Sequence, residues 1–582
     1  MKTTRRPETR PRRARGLGLG LIFFLGCAHA EGRSPAAGGA GEGPTLDSTL
    51  RFRNAAPVRA LPPGPSIPLP EARPFYRQAY FFDAYLGQRT VRALSPQAAG
   101  RARNVNAFGE VPDDSWFENR IGVRQVTPQE IRQGPEPQPP FLVLGSKVGG
   151  VNPGMKVKDA TGALYILKFD RPEDPESETA TDVVVQRLLW AAGYHTAFDV
   201  IRTVRPETLA LAPEATLKTA RGEKRPMTAA DLAGLLARTQ PGVGRRPDGS
   251  YRVLLSRFLP GTPLGGFPQE GVRPDDPNDR IPHQDRREQR GARVFFAWLN
   301  HVDIKEDNFV DTWVEDPAHP GRGWVRHQLV DFGNSLGVFN SRSDNSPGFT
   351  HQYDGSDGLK SLVALGLWRR PWEGVSLSAL RGVGNLESTH FDPARWTPRY
   401  PWAPFERFDA ADGFWAASIL MRFGPEHVAA AVAEGQYSDP RAAAYVTRTL
   451  IERQRKLGRY HLAQLSSLRG FTVMEDAGGA RLCFEDALIA HFGTEEPDLA
   501  RSTAHRARVW DFRGRPLPYE RTLRGHTRGC LSQIPLGPDA DGYTIVDVST
   551  HRGSDDPRRV LVHLARGPEG TLRVIGVRRL LP

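Results

Sequence analysis

Two short acidic motifs constrain this chain more than any other feature. Residues 301–308 read H-x-D-x-K-x-x-N, and residues 331–333 read D-F-G. Transfer of a phosphoryl group needs a side chain that takes or orients the proton of the nucleophile, together with oxygen ligands for metal ions. Asp303 fits the first role, and Asn308 and Asp331 are hard oxygen donors of the kind that suits Mg²⁺. The two motifs therefore predict a site built for chemistry on a phosphate group.

A strand-rich stretch precedes the motifs. Residues 141–144 form an apolar run, 155–158 alternate, and 163–169 predict a third strand. Residues 177–192 have apolar side chains at helical spacing, which predicts a helix that ends at a glycine. A further strand is expected over 251–258, and from residue 284 onward the pattern is mainly helical. Both acidic motifs therefore fall within the helical part of the chain.

This order of elements resembles the two-lobed fold of the protein kinase-like superfamily. The glycine-rich turn followed by Lys168 in the third strand is more similar to atypical members, of the HipA and phosphatidylinositol 4-kinase type, than to ordinary protein kinases. The resemblance covers roughly residues 140–460. It implies an α+β fold, with ATP or another nucleoside triphosphate and Mg²⁺ as cofactors.

The resemblance also implies a role for individual side chains. Asp303 would be the catalytic acid or base, and Lys305 would stabilise charge on the transferred group. Lys168 would clamp the phosphates as a point cation. Asn308 and Asp331 would be the metal ligands. The acceptor of the transferred group is not implied, and no Ala-Pro-Glu segment follows Gly333 to suggest a docked peptide.

Further nucleotide-binding residues are expected around the glycine-rich turn. Glu178, in the first turn of the helix, is the expected partner of Lys168, with Glu176 as a competitor. The helix dipole would favour a carboxylate there without any partner. The glycines of the turn would let backbone N–H groups approach the phosphates. The expected glycines are Gly149, Gly150 and Gly154.

His301 has two other interpretations. We expect it to act as a structural anchor of the loop rather than as a catalyst. A zinc site made by His301, Asp303 and a remote histidine would need a ligand spacing that the sequence does not show.

The N-terminus has the pattern of an export signal. Seven cations between Lys2 and Arg15 precede the apolar run 17–25, which is too short to span a membrane. Residues 25–27 resemble a lipobox, which predicts that Cys27 is lipidated and that the chain is anchored in a bacterial cell envelope, facing the periplasm or the cell surface. Residues 28–30 form an A-x-A site, which would instead give a secreted protein.

Charge argues against a nucleic-acid partner. Segment 1–26 carries seven cations and one anion, so it supplies about half of the formal net charge of +12. The remaining net positive charge is small for a chain of this length, and it lacks the clustered basic face that nucleic-acid binding requires. The expected partners are a nucleotide and, through the lipid alone, a membrane. Cys483 and Cys530 could form a disulfide in an oxidising compartment or remain two unrelated thiols.

Composition divides the chain into five expected parts. After the signal peptide, residues 27–75 are rich in Gly, Ala and Pro and predict a flexible tether. The further parts are an N-terminal extension with a β-rich lobe over 76–260, a helical lobe over 261–464 and a small β-rich domain over 465–582. The sequence favours a phosphotransferase, or a nucleotidyltransferase using the same site. The alternative is an inactive pseudokinase that acts as a binding or structural module of the envelope.

Overall fold

The computed structural model is a mixed α and β chain with several sheets, consistent with the α+β class. The structure describes residues 63–94, 100–147, 154–171, 173–218, 223–238, 245–339, 346–365, 367–375, 378–476 and 479–581. The predicted signal peptide, Cys27 and most of the predicted tether lie outside these residues. In the described part, no helix has both the length and the apolar character needed to cross a membrane.

The helices are distributed along the whole described chain. They are α1 (Arg77–Phe82), α2 (Gln88–Leu94), α3 (Pro128–Arg132), α4 (Ser177–Ala192), α5 (Ala229–Arg238), α6 (Arg287–Leu299), α7 (Gly355–Val363), α8 (Ala403–Glu406), α9 (Ala410–Leu420), α10 (Pro425–Glu434), α11 (Pro440–Gln464), α12 (Ala487–Phe492) and α13 (Pro497–Arg501).

The strands fall into two groups, before and after the long helix α11. The first group is β1 (Phe141–Ser146), β2 (Gly154–Lys158), β3 (Leu164–Lys168), β4 (Asp199–Val204), β5 (Leu209–Lys218), β6 (Lys224–Pro226), β7 (Tyr251–Arg257), β8 (Thr262–Gly266), β9 (Phe309–Glu315) and β10 (Gly323–Leu329). The second group is β11 (Leu468–Asp476), β12 (Gly479–Asp486), β13 (Thr503–Asp511), β14 (Pro516–Arg524), β15 (Arg528–Ile534), β16 (Thr544–Arg552), β17 (Arg558–Arg566) and β18 (Leu572–Arg579).

A seven-stranded sheet carries the glycine-rich turn and the predicted lysine. Its strand order is β4-β7-β3-β2-β1-β5-β6, and β1 and β5 run parallel while the other neighbours are antiparallel. Helix α4 follows β3 and is buried along nearly its whole length. It ends at Gly193, whose φ of 133° suits glycine and whose missing side chain leaves room for the buried ring of Phe117.

The first acidic motif connects helix α6 to the three-stranded sheet, and the second motif follows the last strand of that sheet. Helix α6 ends at Asn300, which adopts a left-handed φ of 44°, and the first motif follows at once. A short 3₁₀ turn at its end leads into β9, and β9 pairs with β8 and β10. The second motif begins just after β10. Helices α9 and α11 pack against α6, and α10 packs against α4 and α11, in one apolar core that includes the buried Trp298.

The C-terminal region contains a three-stranded and a five-stranded antiparallel sheet. Their orders are β11-β12-β15 and β14-β13-β16-β17-β18. The two sheets share one apolar core, to which Leu482 and Val562 contribute fully buried side chains. Strands β11 and β18 are edge strands of their sheets and lie next to each other.

The N-terminal segment, residues 63–94, runs across the three-stranded sheet towards the helices. Ile67 pairs with Gly323, and the Arg73 N–H donates to the carbonyl of Leu264 at 2.6 Å. Further along, the Tyr85 hydroxyl donates to the Arg399 carbonyl at 3.1 Å. These contacts join the start of the described chain to residues more than 190 positions away.

Candidate active site

Lys168, the last residue of β3, is the centre of a buried ion-pair cluster. Its Nζ lies 2.7 Å from Asp331 Oδ1 and 3.2 Å from Asp182 Oδ2. The side chain of Lys168 is 9% exposed, whereas that of Asp331 is 45% exposed. The ammonium group is thus held in the interior, with one of its two partners facing the solvent side.

The charges of this cluster depend on one another. Burial alone would lower the pKa of Lys168, but the carboxylates of Asp182 and Asp331 outweigh it and raise that pKa well above its ordinary value. The ammonium in turn holds the pKa of Asp331 well below its usual range. Burial raises the pKa of the Asp182 carboxyl, and it raises the pKa of the neighbouring Asp199 to about 7. At neutral pH the cluster therefore holds Lys168 as a cation and Asp331 as an anion.

The helix carboxylate that contacts Lys168 is Asp182, not the predicted Glu178. The prediction chose the first turn of α4, but the residue that points at Lys168 lies one turn further along the helix. Glu178 lies against Gly333, where its side chain fills the space that a Cβ would need. The competitor Glu176 faces the helical part instead, since its Oε2 accepts from the Ser438 N–H at 2.8 Å.

The first acidic motif forms a loop held by its own side chains. Asp303 Oδ2 accepts from Lys305 Nζ at 2.7 Å and from Asn334 Nδ2 at 2.9 Å. Asn308 Nδ2 donates to the main-chain carbonyl of Asp303 at 2.8 Å. Asp303 is buried at 5% exposure, so these bonds fix the direction of its carboxylate. Asn334 directly follows the D-F-G triplet and was not singled out from the sequence.

Hydrogen bonds also join the two motifs to each other. The Val330 N–H donates to the Asn308 carbonyl at 3.0 Å, and the Val302 N–H lies 3.4 Å from the Asn334 carbonyl. The His301 Nδ1 lies 2.7 Å from Ser335 Oγ. Burial lowers the pKa of His301 to about 4, so the imidazole is neutral at physiological pH. These contacts make His301 part of the support for the loop.

The structure therefore brings Lys168, Asp331, Asp303 and Asn308 into one connected site. Asp331 itself adopts a left-handed φ of 63°, an uncommon conformation for a residue other than glycine. Strained backbone of this kind is concentrated at functional sites. The following Phe332 is buried at 1% exposure and anchors the turn.

The glycine-rich turn is described only at its end. Gly149 and Gly150 lie outside the described residues. Gly154 opens β2, and a Cβ there would come within 2.7 Å of the Leu167 carbonyl oxygen. Close strand packing therefore accounts for this glycine, and no phosphate contact is needed to explain it.

A second ammonium group lies close to the site and was missed in the sequence. Lys147 directly follows β1, and its main-chain N–H donates to the Gly154 carbonyl at 2.9 Å. Burial, and then repulsion from Lys168, lower the pKa of Lys147. Its position just before a run of glycines was the available signal.

The N-terminal segment borders the first motif. Arg73 Nη1 lies 2.7 Å from Glu306 Oε2, and the other carboxylate oxygen of Glu306 accepts from the Gln269 N–H at 3.1 Å. Tyr80 is 8% exposed, and burial, followed by the charges of Glu306, Asp307 and Asp303, raises its pKa well above the ordinary value. The segment thus forms a wall on the side of the loop where Asp303 lies.

The side chains of Asn308 and Asp331 provide oxygen atoms that fit a divalent cation. Because the Asn308 amide donates through Nδ2, its Oδ1 is the atom left to accept, and Asp331 offers a half-exposed carboxylate nearby. Among the described residues, no group of three or more His, Cys, Asp or Glu side chains could hold a metal ion by itself. An amide and a single carboxylate suit Mg²⁺, which keeps several waters and uses phosphate oxygens as further ligands. They do not suit zinc.

The two cysteines in the described part of the chain lie away from this site. Cys483 and Cys530 occupy paired positions on β12 and β15, and they form a disulfide in the structure. The bond closes a loop of 47 residues within the C-terminal region.

Comparisons with known proteins give weak matches. No protein-family model and no curated protein sequence matches the chain. Among solved structures, the crystal structure of the Golgi casein kinase with Mn/ADP bound matches over 65% of this chain and 88% of that one, at 11% identity and a TM-score of 0.24. A second crystal structure of the Golgi casein kinase matches over 57% and 72%, at 10% identity and a TM-score of 0.23. Matches at this level of identity and TM-score do not assign a function to this chain.

Proposed function

We propose that this chain is a kinase-like phosphotransferase with a two-lobed fold, which transfers a phosphoryl or nucleotidyl group from a Mg-nucleotide to an acceptor. The observation that carries the proposal is the ion pair between Lys168 and Asp331, residues 163 positions apart in the chain. It joins a strand lysine to the D-F-G aspartate beside the loop that holds Asp303. Perturbed, mutually dependent ionisable groups of this kind are typical of functional sites.

Each side chain has a defined task in this proposal. Lys168, with Lys147 beside it, binds and orients the phosphates of the nucleotide. Asp303 accepts the proton of the acceptor group, and its bonds to Lys305 and Asn334 aim the carboxylate. Asn308 and Asp331 would hold a divalent cation, which supplies charge neutralisation at the phosphate oxygens. Lys305 places a positive charge within the same loop.

We also propose that the chain acts outside the cytoplasm, anchored by a lipid on Cys27 or secreted after an A-x-A cleavage. The support is the basic and apolar N-terminal pattern. A disulfide between Cys483 and Cys530 fits an oxidising compartment. Mass spectrometry of the mature N-terminus tests this proposal, because a diacylated Cys27 and an unmodified chain beginning at Glu31 differ in mass.

The first experiment measures nucleotide binding. Purified residues 27–582 should gain thermal stability with millimolar Mg-ATP, since a ligand that binds only the folded state stabilises it. Lys168→Met should remove the gain. An unchanged melting temperature for the wild-type chain at millimolar nucleotide would contradict the proposal.

The second experiment separates an enzyme from an inactive relative. Asp303→Ala should lower the transfer of radiolabel from γ-labelled and α-labelled ATP by about 100-fold or more while sparing the thermal shift. Asp307→Asn, in the same loop, is the matched control and should keep most of the transfer. If the wild-type chain shows a thermal shift but no transfer to itself, to protein or to small hydroxyl acceptors, the pseudokinase alternative is favoured.

A further inference from the structure

A large cleft lies between the helical region and the C-terminal sheets, remote in sequence from the site described above. Its volume is about 1010 Å³. Helix α9 forms one wall, the edge strands β11 and β18 form another, and residues 101–123 close one side. A cleft of this volume reaches the upper end of the range found for ligand sites in proteins.

Positive charge dominates the lining of this cleft. Two of its arginines are neutralised, Arg287 by Asp412 and Arg469 by Glu485. Apart from Glu485, the only carboxylate among the described lining residues is Glu110. Five further arginines line the cleft: Arg101, Arg422, Arg573, Arg578 and Arg579.

Several of these arginines lack an acidic partner. In the described part of the chain, no carboxylate pairs with Arg422 or Arg573, and the Arg573 Nε is buried without a hydrogen-bond acceptor. Burial, with further repulsion from neighbouring arginines, lowers the pKa of Arg422 and lowers that of Arg579 to about 9. Burial of several neighbouring cations costs hydration free energy, so such a group is expected where a bound anion completes the site.

The walls between the arginines are apolar, and they include two sheet edges. Phe414, Trp415 and Ile419 of α9 face the cleft together with Val473 and Val577 of the edge strands. Within the described residues, β11 pairs only with β12 and β18 pairs only with β17. The outer edge of β18 already donates one main-chain hydrogen bond, from Val577 to the Ala107 carbonyl at 2.9 Å. Such edges accept an additional strand from a partner.

We propose that this cleft is a docking site for an extended acidic segment of a partner protein. The main chain of the segment would add to the edge of β18 or β11. Its alternate side chains would face opposite sides, so that acidic residues meet the arginines while apolar ones pack against the α9 wall. The inference does not depend on phosphoryl transfer at Asp303.

The chain's own N-terminal tether does not have the composition of this segment. Residues 27–62 contain three acidic residues, Glu31, Glu42 and Asp47, against four arginines. A cationic segment would add repulsion to a cleft that already has an excess of positive charge. The charge of the cleft therefore points to a separate acidic partner.

The test uses a fluorescein-labelled dodecapeptide of alternating Glu and Val, measured by fluorescence anisotropy on residues 27–582. We expect saturable binding that weakens as salt is raised, and we expect no binding of the matched Lys–Val peptide. The double variant Arg422→Glu, Arg573→Glu should bind the Glu–Val peptide about tenfold more weakly or worse. Arg506→Glu, an exposed residue of β13 outside the cleft, is the control and should bind normally.

Three results would overturn the proposal. The first is an affinity for the Glu–Val peptide that the double variant leaves unchanged, or an absence of binding. The second is binding to phosphatidylglycerol vesicles that requires Arg422 and Arg573 while the peptide does not compete, which would assign the cleft to a membrane surface. The third is a dimer in sedimentation that the double variant dissociates. Circular dichroism and urea unfolding of each variant confirm that the fold is kept, and Arg422→Gln with Arg573→Gln provides a milder pair if charge reversal destabilises the chain.

Discussion

The candidate site and the C-terminal sheets bury their residues in contrasting ways. Around Lys168 the interior holds ionisable side chains where apolar ones would fill the space, and Asp182 and Asp199 are both at 3% exposure or less. In the C-terminal sheets, strands β16 and β17 bury continuous runs of mostly apolar side chains, and a disulfide ties β12 to β15. Both regions contain strands that are buried on both faces, β7 in one and β16 and β17 in the other, so the backbone does not account for the difference.

The contrast indicates where the chain has given up stability. A buried ion pair is seldom more stable than a well-packed apolar pair, because both charges lose their hydration. The C-terminal sheets show that this chain can build an apolar interior. Retention of a lysine and three acids in one place fits the phosphoryl transfer proposed for those groups.

The largest effect is expected for Lys168→Met. Removal of the cation leaves Asp182 buried without its partner and should lower the free energy of unfolding by about 3 kcal/mol. Transfer activity should fall by about 100-fold or more, since the phosphates lose a fixed positive charge. Urea unfolding and radiolabel transfer measure the two effects. Lys158→Met, on the exposed end of β2, should change neither.

The disulfide should matter for stability alone. The paired variant Cys483→Ser, Cys530→Ser opens a loop of 47 residues and should lower the free energy of unfolding by about 3 kcal/mol. The shift in melting temperature on adding Mg-ATP should stay the same. If that shift is lost together with the disulfide, the C-terminal sheets and the site are one energetic unit, and the contrast between them fails.

A smaller difference should separate the two carboxylates of helix α4. Asp182→Asn removes a charge-assisted hydrogen bond from buried Lys168 and should cost about 1–2 kcal/mol of unfolding free energy. Glu178→Gln, one turn earlier, should cost less than Asp182→Asn, because the carboxylates that contact Lys168 are Asp182 and Asp331. Paired urea denaturation curves decide the matter. Equal losses of unfolding free energy would mean that Glu178 stabilises Lys168 in solution as much as Asp182 does.

The last effect concerns the dependence of stability on pH. Burial lowers the pKa of His505 and of His563 in the C-terminal sheets to about 4, so the unfolded chain binds more protons than the native chain between pH 6.5 and 4. Stability of those sheets should fall over that window, by about 2 kcal/mol per imidazole at pH 5.

The site region should respond less to the same change of pH. Burial raises the pKa of Asp199 and of Asp412 to about 7. The native state therefore keeps these protons as pH falls from 7 towards 4, and this stabilises it and offsets buried histidines such as His301. Hydrogen exchange at pH 7 and pH 5 should show a larger loss of protection in β16 and β17 than in β3 and β7. Equal losses would contradict the comparison.

Local pattern was enough to predict the elements on which the site stands. The predicted helix 177–192 has the bounds of α4, and the strands expected at 141–144, 155–158 and 251–258 lie within a residue or two of β1, β2 and β7. These elements are set by periodicity and by the glycines that end them. The parallel neighbour of β1, strand β5, was not predicted, because pairing across the intervening helix leaves no local signal.

The motifs were easier to predict than the contacts around them. Asp303, Asn308 and Asp331 stood out because their spacing is itself the signal. The choice between Glu178 and Asp182 depends on the rotation of α4 about its axis, which the sequence of a helix buried on nearly all sides does not determine. Asn334 and Lys147 reach the site only through tertiary contacts. The predicted division of the chain into domains stays a prediction.

The N-terminal segment has a consequence for how the molecule comes together. Its hydrogen bonds run to Gly323, Leu264, Glu306 and Arg399. The first described residues can therefore be fixed in place only when these much later parts of the chain are present. Contacts of such long range form slowly, after local structure is in place. Segment 63–94 is thus among the last parts of the molecule to become ordered, and the wall beside Asp303 forms only after the residues that it contacts have folded.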